Sequence, residues 1–472
     1  MTTTKKTTQK KTRRPRSRPP GAGTVGLIHL GCPKNQVDPE EMLAALAQDG
    51  WVLVGDPGDA DVLVVNTCGF IEAAKQESIA AIRGALRQKR NGRCRGVVVA
   101  GCYAQRYAQE IARDYPDVDA VIGVGHNASL PRFVRAALEG ERPVVAPKPC
   151  ARWDGSGARL LTTPPWTAYI RIGEGCDHRC SFCAIPGIRG PWRSRPPELV
   201  LDEVRMMVDN GLKEAVLIAQ DTTLYGKDWG REGGGWTLAK LVREIGRIEG
   251  LRWQRIMYAH PGRITPEIIE LFGDVGNLAA YIDLPFQHGD DAVLKKMLRP
   301  GSARRYLDLL GRLRERDAGV AVRSTFLVGF PGETDAAFER TCAFLEQAQL
   351  DHAGVFVYSR EDGTAAYDLG DGPPADVARE RAARLMEIQA GISARRLASL
   401  AGREIDVLVE QKSRKGVWLG RSERDAPGVD GTVTLLARRA RPGEIVRARV
   451  TGTSTHDMVA RVDDEPADNS AD

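Results

Sequence analysis

Gly175-Cys176-Asp177-His178-Arg179-Cys180-Ser181-Phe182-Cys183 sets three thiols within eight residues. At that spacing one short loop can wrap Cys176, Cys180 and Cys183 around three corners of a 4Fe-4S cluster, leaving the fourth iron without a protein ligand. The alternatives are a structural zinc knuckle or a disulfide cluster. Zinc would need a fourth Cys or His at compact spacing, and His178, inside the loop, is poorly placed to join the same tetrahedron. An iron with an open position can chelate a small molecule, so the loop reads as a catalytic centre.

Working outward, the loop directly follows an apolar run, Ala168 to Ile172. Further candidate strands are Ala215 to Ala219, Trp253 to Tyr258, Ala280 to Leu284, Val320 to Val328 and Gly354 to Val357. They alternate with helical stretches, so the expected architecture is α/β: six units forming a partial (β/α)6 barrel. Chemistry in such a barrel gathers at the C-terminal strand ends. Gln220 and Asp221 follow the second strand, Pro285 to His288 the fourth, and Gly329 to Glu333 the fifth. The last stretch lacks the Lys and spacing of a Walker loop and reads as a backbone turn beside the bound small molecule. Arg323 and Ser324 are candidate ribose or carboxylate contacts; His260 and His288 read as hydrogen-bonded bystanders.

Upstream, Val25 to Leu30, Val62 to Val65 and Val97 to Ala100 are apolar strands, each leading into a helix. Strand and helix in alternation predict right-handed crossovers in an open parallel sheet. For the first helix a capping box is expected, with Asp38 as the cap, Pro39 at the first position and Glu41 at the third. Cys32, Cys68 and Cys102 each fall directly after one of these strands, and loops of that kind gather along one sheet edge. The expectation is a second three-cysteine cluster; the alternative is three unrelated small buried residues. Cys94, Cys150 and Cys342 fit no pattern and read as passengers.

Short alternating runs follow a long helix ending near Leu400: Glu404 to Gln411, Gly416 to Arg421, Gly431 to Leu436, Glu444 to Val450 and Asp457 to Val462. Five strands in so short a span predict a small β-barrel of the oligonucleotide-binding-like kind. Its 12 basic and 9 acidic residues between Gly402 and Asp463 do not decide between RNA and protein as its contact. The expected divisions are a disordered basic tail over 1–23, a cluster domain over 24–148, a linker over 149–165, the partial barrel over 166–400, the small barrel over 401–463 and an acidic tail over 464–472.

The net charge of +5 is carried by the tail, where eight of the 67 basic residues meet no acid. The body is left with 59 basic against 62 acidic residues. No apolar run approaches the roughly 18 residues of a membrane span, which argues against a membrane protein. Nine cysteines without a secretory leader point to a reducing compartment, the cytoplasm, and to thiols serving as metal ligands.

The Cys-x3-Cys-x2-Cys loop resembles the radical S-adenosylmethionine superfamily, and Phe182 before the last cysteine fits that resemblance as an aromatic close to the cofactor. The order of regions over 25–463 is similar to the methylthiotransferase family: a three-cysteine domain, a radical barrel and a TRAM domain. The resemblance implies two 4Fe-4S clusters, a 5'-deoxyadenosyl radical made from one S-adenosylmethionine, and a second S-adenosylmethionine that methylates inserted sulfur. Gln220, Asp221, Arg323 and Ser324 would be cofactor contacts.

Particular stretches resemble the branch that modifies small-subunit ribosomal protein S-twelve at the β-carbon of an aspartate. They are Gly31-Cys32-Pro33-Lys34-Asn35, Asn66-Thr67-Cys68-Gly69-Phe70-Ile71, Cys180 to Pro186 leading to Arg189-Gly190, Ala219-Gln220-Asp221-Thr222-Thr223, Gly420-Arg421-Ser422 and Asp425-Ala426-Pro427. Tyr258-Ala259-His260-Pro261 departs from the family's Tyr-Leu-Tyr-Pro, which puts the local pocket wall in question. The alternatives are a tRNA adenosine methylthiotransferase and a non-catalytic cluster protein that binds ribosomes or RNA. The implied partners are the ribosomal protein or its subunit, an unidentified one-electron reductant, an unidentified sulfur donor, and weak RNA contact through the tail and TRAM domain. A monomer is expected.

Overall fold

The computed structural model describes residues 23–149, 158–232, 234–413 and 416–463. The basic tail, Cys150 and the acidic tail lie outside these, apart from Gly23. Among the described residues no helix is long and apolar enough to cross a membrane.

Valine-rich runs, fully buried at the centre, make the N-terminal sheet. Its strands are β1 (Thr24–His29), β2 (Val52–Val54), β3 (Val62–Thr67), β4 (Gly96–Gly101), β5 (Ala120–Ile122) and β6 (Val144–Val145). All pair in parallel in the order β2-β1-β3-β4-β5-β6. A parallel sheet covered on both faces needs no polar alternation, so β3 and β4 read as continuous apolar runs. The short strands β2, β5 and β6 carry too few residues to stand out as a pattern.

Next come β7 (Thr167–Arg171) and a small ribbon of β8 (Gly173–Glu174) and β9 (Arg193–Ser194). The barrel continues with β10 (Glu214–Ile218), β11 (Trp253–Ile256), β12 (Leu278–Asp283), β13 (Ala321–Val328) and β14 (His352–Val357). Neighbours in sequence are neighbours in the sheet, all parallel, from β7 at one edge to β14 at the other. Helices cover the outer face around Ile170, Leu217, Ile256, Val322 and Val328.

The inner face, with Tyr169, Val216, Ile218, Met257, Tyr281 and Ala321, packs on Val37 from the N-terminal domain and on Ala426 from the C-terminal one. That C-terminal domain is a closed five-stranded barrel of β15 (Glu404–Lys412), β16 (Trp418–Ser422), β17 (Val433–Leu436), β18 (Ile445–Thr453) and β19 (Met458–Arg461). The loop from Ser422 to Gly431 leaves it and enters the partial barrel. Ala426 is fully buried there, Pro427 O accepts from Tyr169 Oη at 3.2 Å, and Asp430 accepts from Tyr281 Oη at 2.8 Å. The small barrel thus supplies the wedge that fills an incomplete β-barrel, whose lumen a fuller strand set would close with its own side chains.

One local expectation fails. The first helix, α1 (Val37–Gln48), has Gln36 at its cap position with helical φ/ψ and no side-chain cap bond. Asp38 lies inside the first turn and is drawn into the barrel instead, accepting from Arg171 at 2.6 Å and Arg189 at 2.7 Å. Two guanidinium groups outcompete backbone N–H groups for a carboxylate because charge-assisted bonds are about twice as strong as neutral ones.

Candidate active site at the junction of two cysteine loops

The loops after β1, β3 and β4, adjacent strands of the N-terminal sheet, deliver their thiols to the same edge. Cys32 precedes the short turn Pro33–Asn35 after β1, Cys68 follows β3, and Cys102 opens the helix Cys102–Arg106 directly after β4. Gly101 makes that last turn at φ 93°, where an added Cβ would sit 2.6 Å from the Thr67 carbonyl. Only glycine lets the chain turn so sharply beside the neighbouring strand. Cys32 is exposed, Cys68 half-buried and Cys102 buried. Burial pushes the Cys68 thiol up to about 11, and the nearness of Cys102 and Cys32 pushes the same way; Cys102 is raised by burial.

The second triad sits at the barrel's C-terminal mouth. The backbone N–H of Cys176 donates to Gly190 O at 3.1 Å and that of Cys183 to Cys180 O at 3.0 Å, folding the loop on itself. Ser181 ties it to the mouth: its N–H reaches Met297 O, its Oγ reaches Lys296 O at 2.9 Å, and its carbonyl accepts from Ala366 N at 2.7 Å. Burial raises Cys176 to about 12 and Cys183 to about 11, each thiol reinforced by its neighbours. Bare thiols are therefore protonated near neutrality, and loading metal releases protons.

Both triads suit iron-sulfur clusters in their surroundings as well as in ligand type. Arg189 Nη2 lies 3.3 Å and Asn35 Nδ2 3.6 Å from Cys102 Sγ, and Arg299 Nη1 lies 3.7 Å from Cys180 Sγ. N–H donors and cations at ligand sulfur stabilise the charge of a thiolate-held cluster. Among the described residues no three Cys, His, Asp or Glu side chains converge on a single-ion site. Beside the radical-type triad, Gln220 Oε1, His260 Nε2, Asp283 Oδ1 and Arg299 Nε are buried without a hydrogen-bond partner. Four orphaned polar atoms at one barrel mouth are a cradle for a polar ligand, since buried polar groups are otherwise nearly always paired.

Asp221 accepts from Thr223 N at 2.9 Å, Thr223 Oγ1 at 2.6 Å and His260 N at 3.2 Å, and its Oδ2 lies 2.6 Å from His178 Nε2. It anchors the cysteine loop through His178. His260 stacks on His178 with ring centroids 4.2 Å apart, held neutral by burial and by Arg299. The altered Tyr-Ala-His-Pro stretch thus braces the cluster loop. Asp221→Ala would strand four buried or half-buried groups, so a loss of about 2–4 kcal/mol in the cluster-free protein is expected. Urea unfolding checks it, and an unchanged midpoint would refute the bracing role.

Gln220 is half-buried, donates to Glu174 Oε1 at 3.1 Å and keeps its oxygen free. Phe182 is half-buried among Val293, Met297 and Phe330. Arg323 and Ser324 go elsewhere. Arg323 is paired with Asp430 of the inserted loop, and Ser324 Oγ donates to Leu284 O at 2.8 Å while accepting from Phe286 N at 3.1 Å. Strand position alone could not foresee that a distant loop would claim the guanidinium. His288 is buried between Glu333, 3.1 Å away, and Thr341. Cys94 and Cys342 are buried in apolar clusters apart from both triads.

Two clamps hold the triads face to face. On one side Arg189 and Arg171 share Asp38 with Glu174; on the other Arg106 and Lys75 meet Glu361 at 3.0 and 3.1 Å. Arg189, Arg171, Arg299, Lys34 and Asp283 were not singled out from sequence, though Arg189 and Lys34 stand inside motif stretches.

Comparison with known proteins agrees with this geometry. Residues 24–123 match the family described as Uncharacterized protein family UPF0004, 170–345 the Radical SAM superfamily and 401–462 the TRAM domain. The ribosomal protein uS12 methylthiotransferase RimO of Symbiobacterium thermophilum is 44% identical, over 92% of this chain and 90% of that protein. The Heliobacterium modesticaldum protein of the same name is 43% identical, over 94% and 96%. Among solved structures, the radical S-adenosylmethionine methyltransferase TsrM from Kitasatospora setae superposes with a TM-score of 0.51 at 15% identity, covering 73% of this chain and 74% of that one, a likeness of fold. With relatives this similar along nine-tenths of its length, and with two thiol triads clamped across one barrel mouth, the chain belongs to the ribosomal protein uS12 methylthiotransferase family of radical S-adenosylmethionine enzymes.

Proposed function

We propose that the chain methylthiolates the β-carbon of an aspartate in ribosomal protein uS12, with Cys176, Cys180 and Cys183 holding one 4Fe-4S cluster and Cys32, Cys68 and Cys102 the other. The observation that carries this reading is Arg189. It leaves the radical-type cysteine loop through the helix Ile185–Arg189 and ends 3.3 Å from Cys102 Sγ of the other triad. The cluster held by Cys176, Cys180 and Cys183 would supply the electron that cleaves one S-adenosylmethionine to methionine and a 5'-deoxyadenosyl radical, and the cluster held by Cys32, Cys68 and Cys102 would supply the sulfur, whose methyl group would come from a second S-adenosylmethionine.

The chain's own residues do the rest. His178, seated on Asp221, fixes the cysteine loop. The orphaned Gln220 Oε1 and Arg299 Nε offer an acceptor and a donor to the cofactor's amino and carboxylate groups. Arg189 and Asn35 stabilise negative charge at Cys102.

The test uses the full chain, reconstituted anaerobically with iron and sulfide and given reductant, S-adenosylmethionine and either purified uS12 or unmodified tRNA. Mass spectrometry is expected to find one methylthio group replacing hydrogen on a uS12 aspartate. Modification of tRNA with uS12 untouched would overturn the substrate; no 5'-deoxyadenosine with either would overturn the enzyme.

A further inference from the structure

The turn Pro33–Asn35 carries Lys34 out of the N-terminal domain, one residue beyond Cys32 and its neighbour Pro33, and lays its Nζ 4.0 Å from the ring centroid of Tyr258. Tyr258 follows β11 at φ 57°, a backbone conformation an aromatic residue rarely takes, which turns its ring across the barrel mouth. Its N–H donates to Asp283 Oδ2 at 3.3 Å, while Asp283 Oδ1, on a carboxylate only 3% exposed, has no partner. Tyr258 and Asp283 stand at the C-terminal ends of β11 and β12, so the ammonium, two residues along the chain from Cys32, lies at the barrel mouth where the two domains meet.

Of the other cations around this mouth, Arg171 and Arg189 share Asp38 and Glu174 and Arg323 holds Asp430, while Arg299 reaches Cys180 Sγ and the Pro285 carbonyl and keeps its Nε for the cofactor. Among the described residues Lys34 has neither a hydrogen bond nor an ion pair; its contact is the face of Tyr258. A half-buried ammonium held on a ring, with no hydrogen bond or ion pair of its own, is a receptor for an anion. A reaction at the β-carbon of an aspartate must place that residue's carboxylate one bond from the activated carbon.

We propose that Lys34 is the carboxylate receptor of the substrate pocket, binding the side chain of the very aspartate that is modified, with Tyr258 as the platform that aims it. The proposal rests on the uS12 reading above. It makes Lys34 a specificity residue: a nucleobase brings no carboxylate to the same position, and an asparagine brings no charge.

The experiment pairs wild type, Lys34→Met and Lys34→Arg, all full-length and anaerobically reconstituted, with uS12 and with uS12 whose target aspartate is asparagine. Readouts are equilibrium binding of labelled uS12, KM, S-adenosylmethionine affinity by dialysis, and iron and sulfide content. Lys34→Met is expected to weaken uS12 binding and raise KM by about 10- to 100-fold, as for a lost charged hydrogen bond. Lys34→Arg should recover part of this, with iron content unchanged. The asparagine substrate should lose the same factor against wild type and nothing more against Lys34→Met, because one interaction is removed from either side.

Equal binding of uS12 by wild type and Lys34→Met would overturn the proposal. So would loss of iron in both variants, or a fall in S-adenosylmethionine affinity in place of uS12 affinity. If wild type neither binds nor modifies uS12, the functional reading itself falls and this proposal with it; if wild type succeeds and the variants match it, Lys34 alone is refuted.

Discussion

Cys176→Ala is expected to reduce 5'-deoxyadenosine formation to background and to remove about four of roughly eight irons per chain, one four-iron cluster out of two. The cause is local. With two thiols left, the loop between Gly175 and Cys183 cannot hold three iron corners. The double variant Cys68→Ala/Cys102→Ala should lose the same amount of iron but keep 5'-deoxyadenosine formation while failing to transfer sulfur. That dissociation separates the roles of the triads. Iron and sulfide analysis with product chromatography decides it, and a double variant with a full iron complement would refute the second cluster.

How much of this was legible from sequence depends on the range of the interaction involved. Cys176 to Cys183 is a local spacing and needs no fold to be read. The three N-terminal thiols could be grouped because each ends a recognisable valine run, β1, β3 and β4, and a parallel sheet collects such ends along one edge. Strand positions in the barrel follow from the same apolar runs, with ends shifted by a residue or two.

What could not be read is which charge meets which across domains. Asp38 looked like a helix cap because capping depends on neighbours one to three residues away, yet its partners Arg171 and Arg189 stand more than 130 residues downstream. Arg323 looked free for a ligand because its partner, Asp430, sits 107 residues on, in a loop that belongs to another domain. The small barrel's charge balance left its contact undecided for the same reason: several of those charges are spent inside the molecule, at the buried Arg421 and Asp425 and at Asp430, which pairs with Arg323.

That inward loop makes the partial barrel and the TRAM domain one cooperative body, and Glu214 is where the union is most exposed to test. Glu214 on β10 is fully buried; Oε1 accepts from Arg255 Nε at 2.9 Å and Oε2 from Arg421 Nη2 at 2.6 Å. Arg421 belongs to the small barrel and also meets Glu410 at 2.7 Å. Arg255 lies over the Tyr281 ring at 4.6 Å and donates to Glu423 O at 2.7 Å.

Removing the shared carboxylate leaves two guanidinium groups buried with less compensation, so Glu214→Ala should cost about 3–5 kcal/mol. Because the network crosses the domain boundary, urea unfolding followed by Trp418 in the small barrel and by the tryptophans of the radical domain should shift together. Replacing all three members with Leu and Met should recover most of the loss, since a buried ion network is replaceable by apolar packing but not divisible.

The pH dependence has a definite sign. Burial would raise the Glu214 carboxyl, yet Arg421 and Arg255 outweigh it and hold its pKa below the usual value. Its contribution is therefore fully present above about 4.3, the unfolded-state value, and is lost as pH falls through the lower folded one. A Glu214→Ala protein unfolding at the wild-type urea concentration, or with the small barrel melting separately from an unaffected radical domain, would show that the inserted loop does not bind the two domains together.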